Sequence, residues 1–403
     1  MIKDARLRAK DRQRRATPYL ADPTPPRVLL VGQLPPPVHG QAVANEMLFQ
    51  GTYHRIELRT CPMRFSRTVE EVGSLGIRKV GLLVSTVWQA LRLTRGGHRD
   101  VLVYSVGLKS TGAAIRDAVL LTFLRGRFRH VVFHVHTGDP GAVIDAAPAV
   151  LRPALRWVYG RADAVIYPDV NANPNGKGLP LPKSVAYIPC GAEDPEPSGP
   201  IERAGQPPHV LFMSNLYVSK GTHLAVEAMA EVNRRRRIAG ATPVTLTMAG
   251  APPDHATLKD LEELAERCGL GALVDFPGAV YGEAKAALFR RATAFCFPTF
   301  YEAESFGIVT IEAMAYGLPV VASTWRALPS IVEDGVSGLL VPPQDVSALA
   351  DALCRVLDDE TLARRMGNAG RERFEQRFTA ETFRHAFEDV VVASCTSDRT
   401  MSD

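Results

Sequence analysis

The most informative segment of the chain is PTFYEAESFGIVTIEAMAYGLPVVAS, residues 298–323. Its pattern predicts a strand that ends at Pro298, a loop that carries Glu302 and Glu304, a helix, and a second strand at the closing PVVAS. Strand, loop, helix and strand in this order are typical of a parallel α/β sheet, in which binding loops follow the carboxyl ends of the strands. We therefore expect a binding loop around Glu302 and Glu304.

The same alternation runs through the whole chain of 403 residues. Short, nearly continuous apolar runs predict buried strands at 27–32, 100–106, 130–136 and 162–168, and again at 209–215, 244–250, 274–278, 293–298 and 319–323. Helical patterns separate these runs, at 41–49, 76–95, 111–125, 148–160, 221–237, 256–268, 282–291, 306–316 and 346–357. Between the two arrays, residues 192–208 are rich in Pro, Gly and charge, which is the composition of a linker.

These patterns predict an α/β protein with two doubly wound, Rossmann-like domains that face each other across an interdomain cleft. The predicted boundaries are, in chain order, a basic tail at 1–23, a first domain at 24–191, the linker at 192–208, a second domain at 209–378, and a C-terminal helix and tail at 379–403 that packs back toward the first domain. Because both sheets direct their binding loops into the cleft, we expect the functional site there.

Composition places the chain among ordinary globular proteins. Apolar residues make up 46% and charged residues 22%, which excludes disordered and fibrous classes. No apolar run suits a membrane span, and the N-terminus lacks the apolar core of a secretory signal, so we expect a cytoplasmic protein. Residues 1–15 hold seven Lys and Arg against two Asp. Such a tail is either a solvated terminus or a contact with anionic lipid at the inner membrane face, and we expect no nucleic-acid partner.

Glu312 stands on an otherwise apolar stripe of its predicted helix, with Ile308, Ile311 and Ala315. A carboxylate in that position is costly unless it is paired or faces a cleft. Its two oxygens can accept both hydroxyls of a vicinal diol such as a ribose. The alternative is a glutamate that a neighbouring Lys or Arg neutralises.

Two further loops can hold anions. Lys220 and Gly221 lie at the start of a helix in NLYVSKGTHLAVEAM, residues 215–229, where a lysine beside helix amides suits a diphosphate, although a lysine in such a loop is often only solvated. The Pro-rich loop before Gly40 lacks the GxGxxG pattern, so a dinucleotide site is not supported, but it can bring a phosphate or a sugar close to the backbone.

His134 and His136 are two residues apart at the end of a predicted strand, so both point to one face. They are candidates for a cleft contact, for structural histidines held by hydrogen bonds, or for the His-x-His pair of a metal hydrolase, which needs further ligands at other strand ends.

Taken together, these residues resemble family 4 of the retaining glycosyltransferases, which have the GT-B fold. The resemblance rests on the Glu-x7-Glu pair Glu304 and Glu312, on Lys220-Gly221 upstream, and on further motifs in matching order: Gly250, Phe276-x-Gly278-x-Val280, Pro298 and Gly317-x-Pro319-Val320-Val321. It covers residues 209–375 strongly. The first domain is matched more loosely, through the Pro-Pro-Pro-x-His-Gly loop at 35–40 and through His136.

The resemblance implies that the second domain binds the nucleotide sugar and that the first lies on the acceptor side. Glu312 would hold the ribose hydroxyls, and Val280 would meet the base through its backbone. Lys220 would neutralise the diphosphate. Gly40 and the backbone amides around three consecutive residues, Phe306, Gly307 and Ile308, would approach the same phosphates.

The resemblance also implies the residues nearest the chemistry. Glu304 would contact the sugar near its anomeric carbon, and His136 would contact the sugar and the oxocarbenium-like centre; with Lys220 these are the catalytic candidates. Asn215 stands where many relatives have an arginine on the phosphate, so it can donate hydrogen bonds there without adding charge.

The expected function is transfer of a hexosyl-type unit from a nucleotide diphosphate sugar, a UDP-sugar in preference to a GDP-sugar, to an acceptor hydroxyl with retention at the anomeric carbon. The acceptor is expected to be a saccharide, a lipid-linked molecule or a small molecule, in polysaccharide or glycoconjugate synthesis. The sequence holds no Asp-x-Asp, so we expect no metal and no other cofactor. The alternatives are a nucleotide-sugar epimerase or hydrolase, and a nucleotide-sugar-binding protein without turnover. Residues 76–95, which mix large apolar and basic side chains, form either a packed helix or a contact with membrane or lipid-linked acceptor.

Overall fold

The computed structural model of the protein describes residues 24–36, 38–65, 77–95, 100–108, 111–136, 140–172, 178–195, 201, 203 and 205–396. The predicted basic tail at 1–23 lies outside these ranges, as do Pro37, part of the predicted linker and the last seven residues.

The first half of the chain forms one sheet of six parallel strands in the order β2-β1-β3-β4-β5-β6. The strands are β1 Arg27–Gln33, β2 Glu57–Met63, β3 Val101–Val106, β4 His130–Val135, β5 Ala164–Tyr167 and β6 Val185–Tyr187. The helices between them are α1 Gly40–Phe49, α2 Ile77–Leu93, α3 Thr111–Leu124, α4 Pro140–Ala146 and α5 Arg152–Tyr159.

The second half forms another six-stranded parallel sheet in the order β12-β11-β10-β7-β8-β9. Its strands are β7 His209–Met213, β8 Thr245–Ala249, β9 Val274–Gly278, β10 Ala294–Phe297, β11 Val320–Ser323 and β12 Gly338–Val341. Its helices are α6 Thr222–Ile238, α7 His255–Arg267, α8 Gly282–Arg291, α9 Ile308–Ala315, α10 Leu328–Ile331, α11 Val346–Asp358 and α12 Glu360–Arg377, and a last helix, α13 Ala380–Thr396, follows.

Both sheets are buried because helices cover their two faces. Every residue of β3, β4, β7 and β10 is buried, as near-continuous apolar runs predict for parallel strands. Two parallel sheets with covering helices confirm the predicted α/β fold class. No helix in the described part of the chain is long and apolar enough to cross a bilayer.

The elements that the sequence pattern did not predict are polar or short. Strand β2 contains Arg59, Thr60 and Pro62 and is only partly buried, and β6 has three residues. Eight of the eighteen residues of helix α12 are charged, and the helix buries a narrow stripe, where a Cβ on Gly367 would lie 2.1 Å from the Gly317 carbonyl oxygen. Only a glycine allows the two backbones this approach.

Helix α13 leaves the second half of the chain and packs on β3, β4 and β5 of the first sheet, where Phe383 and Phe387 join the core. Just before it, the chain runs beside the segment that leaves the first sheet, since Ala192 pairs with Thr379 as a parallel bridge. Arg371 of α12 also joins these two segments, because it donates 2.7 Å hydrogen bonds to both carboxylate oxygens of Asp194. The chain therefore passes between the two sheets twice, side by side.

Candidate active site

A cavity of about 820 Å³ lies between the two sheets and is lined by residues from both. Nine of the ten site residues predicted from the sequence line it: Gly40, His136, Asn215, Lys220, Val280, Glu304, Gly307, Ile308 and Glu312. The side chain of Phe306 is buried instead and packs edge to face on Phe378, with ring centroids 6.1 Å apart. Phe306 can thus contribute only its backbone to a ligand.

Lys220 is held close to the end of β10 by the residue that follows it. Gly221 has φ +79°, and a Cβ there would lie 2.2 Å from the Pro298 carbonyl oxygen, so glycine is required. The Lys220 side chain is only 12% exposed; its ammonium forms an ion pair with Glu304 and lies 4.6 Å from the centroid of the Tyr301 ring. The alternative of a solvated surface lysine is therefore wrong.

Helix α9 begins at the cavity. Gly307 precedes it with φ +92°, and Gly307, Ile308 and Val309 all line the cavity. The first N–H groups of a helix have no partner within the helix and carry partial positive charge. The start of α9 can therefore accept an anion beside Lys220.

Glu312 lies one turn further along α9 and is paired with a cation. Lys285 of α8 donates a 2.6 Å hydrogen bond to its carboxylate, and both side chains line the cavity. Glu312 therefore both pairs with a lysine and faces the cavity, so the two alternatives that the sequence left open are observed together. Lys285 was not predicted as a site residue, because a lysine in an amphipathic helix is usually solvated. The one available signal was that Lys285 lies five residues after Val280, which was predicted to contact the base.

His134 and His136 both leave the end of β4, as the spacing predicted, but into different surroundings. His134 is fully buried against Phe383 and Phe387 of α13, and this burial lowers the pKa of its imidazole to about 3. Its Nδ1 lies 3.3 Å from Nε2 of His136, which reaches the cavity. A neutral His134 therefore orients His136 through a ring-to-ring hydrogen bond.

The first half of the chain contributes a polar wall that was not predicted from the sequence. Arg116 lines the cavity and pairs with the buried carboxylate of Asp117, which also accepts 2.6 Å hydrogen bonds from the hydroxyls of Tyr104 and Tyr159. Gln41 lies in the same wall and donates 3.1 Å hydrogen bonds to Ser105 Oγ and to the Val106 carbonyl. Adjacent Arg and Asp in an apolar helix gave no sequence signal that distinguishes a cavity wall from an ordinary surface pair.

Comparison with known families identifies the half of the chain that carries Lys220, Glu304 and Glu312. Residues 196–373 match the family model described as Glycosyl transferases group 1. This segment is similar to group 1 glycosyltransferase domains. The match supports the predicted resemblance to glycosyltransferases.

The curated relatives that match the chain are named as glycosyltransferases. The chain is 34% identical over 203 residues to a GDP-mannose-dependent alpha-(1-6)-phosphatidylinositol monomannoside mannosyltransferase of Mycobacterium tuberculosis, covering 47% of the chain and 51% of the relative. It is 32% identical over 243 residues to a D-inositol 3-phosphate glycosyltransferase of Streptomyces griseus, covering 59% of the chain and 50% of the relative. The chain spans about half the length of the curated relatives it matches.

Solved structures extend the similarity in fold to both halves. Sucrose-phosphate synthase from Thermosynechococcus elongatus superposes with a TM-score of 0.68 at 22% identity, covering 91% of this chain and 98% of that one. Anabaena HepE in complex with UDP and glucose superposes with a TM-score of 0.67 at 19% identity, covering 91% and 99%. The fold is GT-B.

The two halves of the chain together line the cavity with more positive than negative charge. Its described lining carries four cationic side chains, Lys79, Arg116, Lys220 and Lys285, against the carboxylates of Glu304 and Glu312. Among the described residues, no three His, Cys, Asp or Glu side chains come together so that they could hold a metal ion. The third ligand that a metal reading of His134 and His136 requires is therefore missing from this part of the chain.

Proposed function

We propose that the protein is a retaining glycosyltransferase of the family 4 type, which moves a sugar from a nucleotide diphosphate sugar to an acceptor hydroxyl. The observation that carries this proposal is the convergence of Lys220, the start of α9 and Glu312 on one cavity. A diphosphate, a ribose and a sugar have complementary groups there: a cation with helix amides, a carboxylate, and a second carboxylate at Glu304.

The nucleotide part of the donor is assigned to one wall. Glu312 accepts hydrogen bonds from the ribose hydroxyls, Lys285 keeps its carboxylate in place, and Val280 meets the base through its backbone. Asn215 and Gly40 approach the phosphates without adding charge. We propose UDP over GDP as the nucleotide, and the relative named as GDP-mannose-dependent makes GDP the comparison to test.

Catalysis in this proposal depends on the leaving diphosphate. Lys220 exchanges its ion pair with Glu304 for the diphosphate, so that negative charge developing on the leaving oxygen meets a cation already oriented by Tyr301 and by α9. The released Glu304 carboxylate then accepts hydroxyls of the transferred sugar. His136, oriented by His134, contacts the sugar near the oxocarbenium-like centre. The acceptor attacks the face that the diphosphate leaves, and the diphosphate takes the proton of the acceptor hydroxyl, which retains the anomeric configuration.

The acceptor side of the cavity belongs to the first domain. Lys79 and Arg116 line it, and two relatives are named for acceptors that contain phosphate. We therefore propose that saccharide, lipid-linked and small-molecule acceptors with a phosphate group are the first to screen, as expected for polysaccharide or glycoconjugate synthesis in the cytoplasm.

Calorimetric titration of metal-free protein with UDP and GDP tests the donor site. We expect one nucleotide to bind, and Glu312→Ala to weaken that binding roughly 10- to 100-fold, since a charged hydrogen bond is worth about 1.5–3 kcal/mol. Glu283→Ala is the matched control, because Glu283 lies on neighbouring α8, pairs with Arg290 and does not line the cavity. Equal binding by both variants would contradict the assignment of Glu312.

Turnover tests the reaction itself. Lys220→Ala is expected to lower the transfer rate about 10²-fold through loss of one contact to the leaving group. The anomeric configuration of the product, read by NMR, tests retention. Consumption of donor at the same rate with and without acceptor would instead favour an epimerase or hydrolase, and nucleotide binding with no consumption would favour a binding protein.

A further inference from the structure

Helices α2, α3 and α5 cover one face of the first sheet side by side. Helix α3 packs against both α2 and α5, and the inner sides of all three belong to one apolar core. Their outer sides therefore form a continuous layer that points away from the sheet, on the opposite face from α13. We call this layer the outer helical face.

Large apolar side chains stand out from the outer helical face. On α2, Val80, Val84 and Trp88 are 61%, 64% and 57% exposed, and their spacing of four residues puts them on one stripe. Phe123 of α3 and Trp157 of α5 are also about half exposed or more. Single exposed apolar residues are common, but a stripe with two further aromatics on adjoining helices marks an interaction surface.

The charge of the outer helical face is predominantly positive. Residues 77–95, 111–129 and 150–161 contain eleven Lys and Arg and a single Asp. That Asp is Asp117, whose carboxylate is fully buried in the hydrogen-bond network with Arg116. Two of the cations, Lys79 and Arg116, line the cavity, and Arg156 pairs with Asp145 of α4. Arg92 lies with its guanidinium 5.4 Å from the centroid of the Trp88 ring, so cation and aromatic are presented together.

We propose that the outer helical face docks on the surface of an anionic phospholipid bilayer. Trp and aliphatic side chains favour the boundary between headgroups and acyl chains, and arginines beside them contact lipid phosphates. A second copy of the chain would bring two positively charged faces together, and residues 1–15 carry the same sign as the face, so charge disfavours both of these as the occupant.

Docking in this way places the cavity next to the membrane. Helix α2 presents Val84 and Trp88 outward, while Lys79, Val80 and Leu83 of the same helix line the cavity. An acceptor anchored in the bilayer would thus reach the cavity along α2. The surface itself does not depend on the reaction proposed above, so binding to lipid can be tested without any transfer assay.

The test is flotation of the full chain with vesicles of phosphatidylcholine alone and of phosphatidylcholine with phosphatidylglycerol. We expect binding only to the anionic vesicles, and weakening of that binding by added salt. The double variant Val84→Ser with Trp88→Ser is expected to reduce the bound fraction at least about tenfold. Ile238→Ser is the matched control, because Ile238 is 74% exposed at the end of α6 in the other half of the chain.

Charge is tested by Arg92→Glu with Arg95→Glu, which is expected to abolish binding to anionic vesicles while leaving nucleotide binding unchanged. Every variant keeps residues 1–23, so wild-type binding by the Val84 and Trp88 variant would assign the membrane contact to another segment and overturn the proposal. Equal binding to neutral vesicles, no binding to either vesicle, or self-association that the same variant abolishes would overturn it as well.

Discussion

Replacement of Gly221 by alanine gives the sharpest test of how the fold places Lys220. Gly221 has φ +79°, in the left-handed region, and stands between Lys220 and the first residue of α6. A Cβ there would lie 2.2 Å from the Pro298 carbonyl oxygen, whereas real Cβ contacts stay above 3.0 Å. The loop therefore has to move away from the end of β10 by about 0.8 Å, the difference between these two distances.

The expected magnitude has two parts. A left-handed conformation costs a non-glycine residue roughly 1–2 kcal/mol, and forcing a methyl group into a packed backbone contact costs about 1–3 kcal/mol more. Gly221→Ala should therefore lower the free energy of unfolding of the second domain by about 2–5 kcal/mol. At about 2–4 °C per kcal/mol for a domain of this size, its Tm falls by roughly 4–20 °C.

Gly240→Ala separates the two parts. Gly240 lies just beyond the other end of α6 with φ +69°, and nothing lies within 4 Å of the Cβ that a substitution would add. It should show only the conformational cost of about 1–2 kcal/mol. Calorimetric unfolding of both variants, together with UDP and GDP titration, is the assay: only Gly221→Ala should also weaken nucleotide binding, because only it displaces Lys220. Equal losses of stability in the two variants, or normal nucleotide binding by Gly221→Ala, would refute the reasoning.

Three further outcomes follow from the described contacts. Lys285→Met removes the cation that holds the Glu312 carboxylate in place for the proposed ribose contact, so nucleotide affinity measured by calorimetry should fall about tenfold. Unchanged affinity would remove Lys285 from the donor site. Burial lowers the pKa of His134 to about 3, so the unfolded state binds the extra proton and the free energy of unfolding falls as the pH drops below about 6.5, by up to about 1.4 kcal/mol per pH unit. In urea unfolding at pH 7 and pH 5, His134→Gln should lose this contribution to the pH dependence. A pH dependence identical to that of the wild type would contradict the prediction. Asp117→Asn leaves the Arg116 guanidinium without its buried counter-charge and should cost about 3–5 kcal/mol in urea unfolding, whereas a loss below about 1 kcal/mol would mean that the pair is solvated.

Much of the fold was predictable because a strand that is buried on both faces has a continuous apolar sequence. The continuous apolar run of β1 and the helical spacing of α2 are both visible in single segments. Strand β2 was not predictable in this way, since it is an edge strand with alternating and partly exposed side chains. Helix α12 was not predicted because its buried stripe includes glycines, which give no hydrophobic signal. Gly367 is buried there because it allows another backbone to approach closely.

The residues of the candidate site were predictable where one segment of the sequence carries two of them. Glu304 and Glu312 are eight residues apart, and Lys220-Gly221 has a local helix-start signal. Lys285 and Arg116 have no such trace, because each joins the cavity through a pairing that depends on how separate helices pack. The exposure of Val84 and Trp88 likewise depends on whether a neighbour covers α2, which the pattern of the helix alone does not determine.

The packing of α13 on the first sheet has a consequence for biosynthesis. The core on that face of the sheet contains Phe383 and Phe387 together with Val103 and Val132, yet these two pairs of residues leave the ribosome far apart in time. At about 5–20 residues per second, the roughly 190 residues between Ala192 and Ala380 take on the order of 10–40 s to synthesise. During that interval α1 covers this face of the first sheet without α13, so the packing of the core on that face is completed only after residues 209–378 have been synthesised.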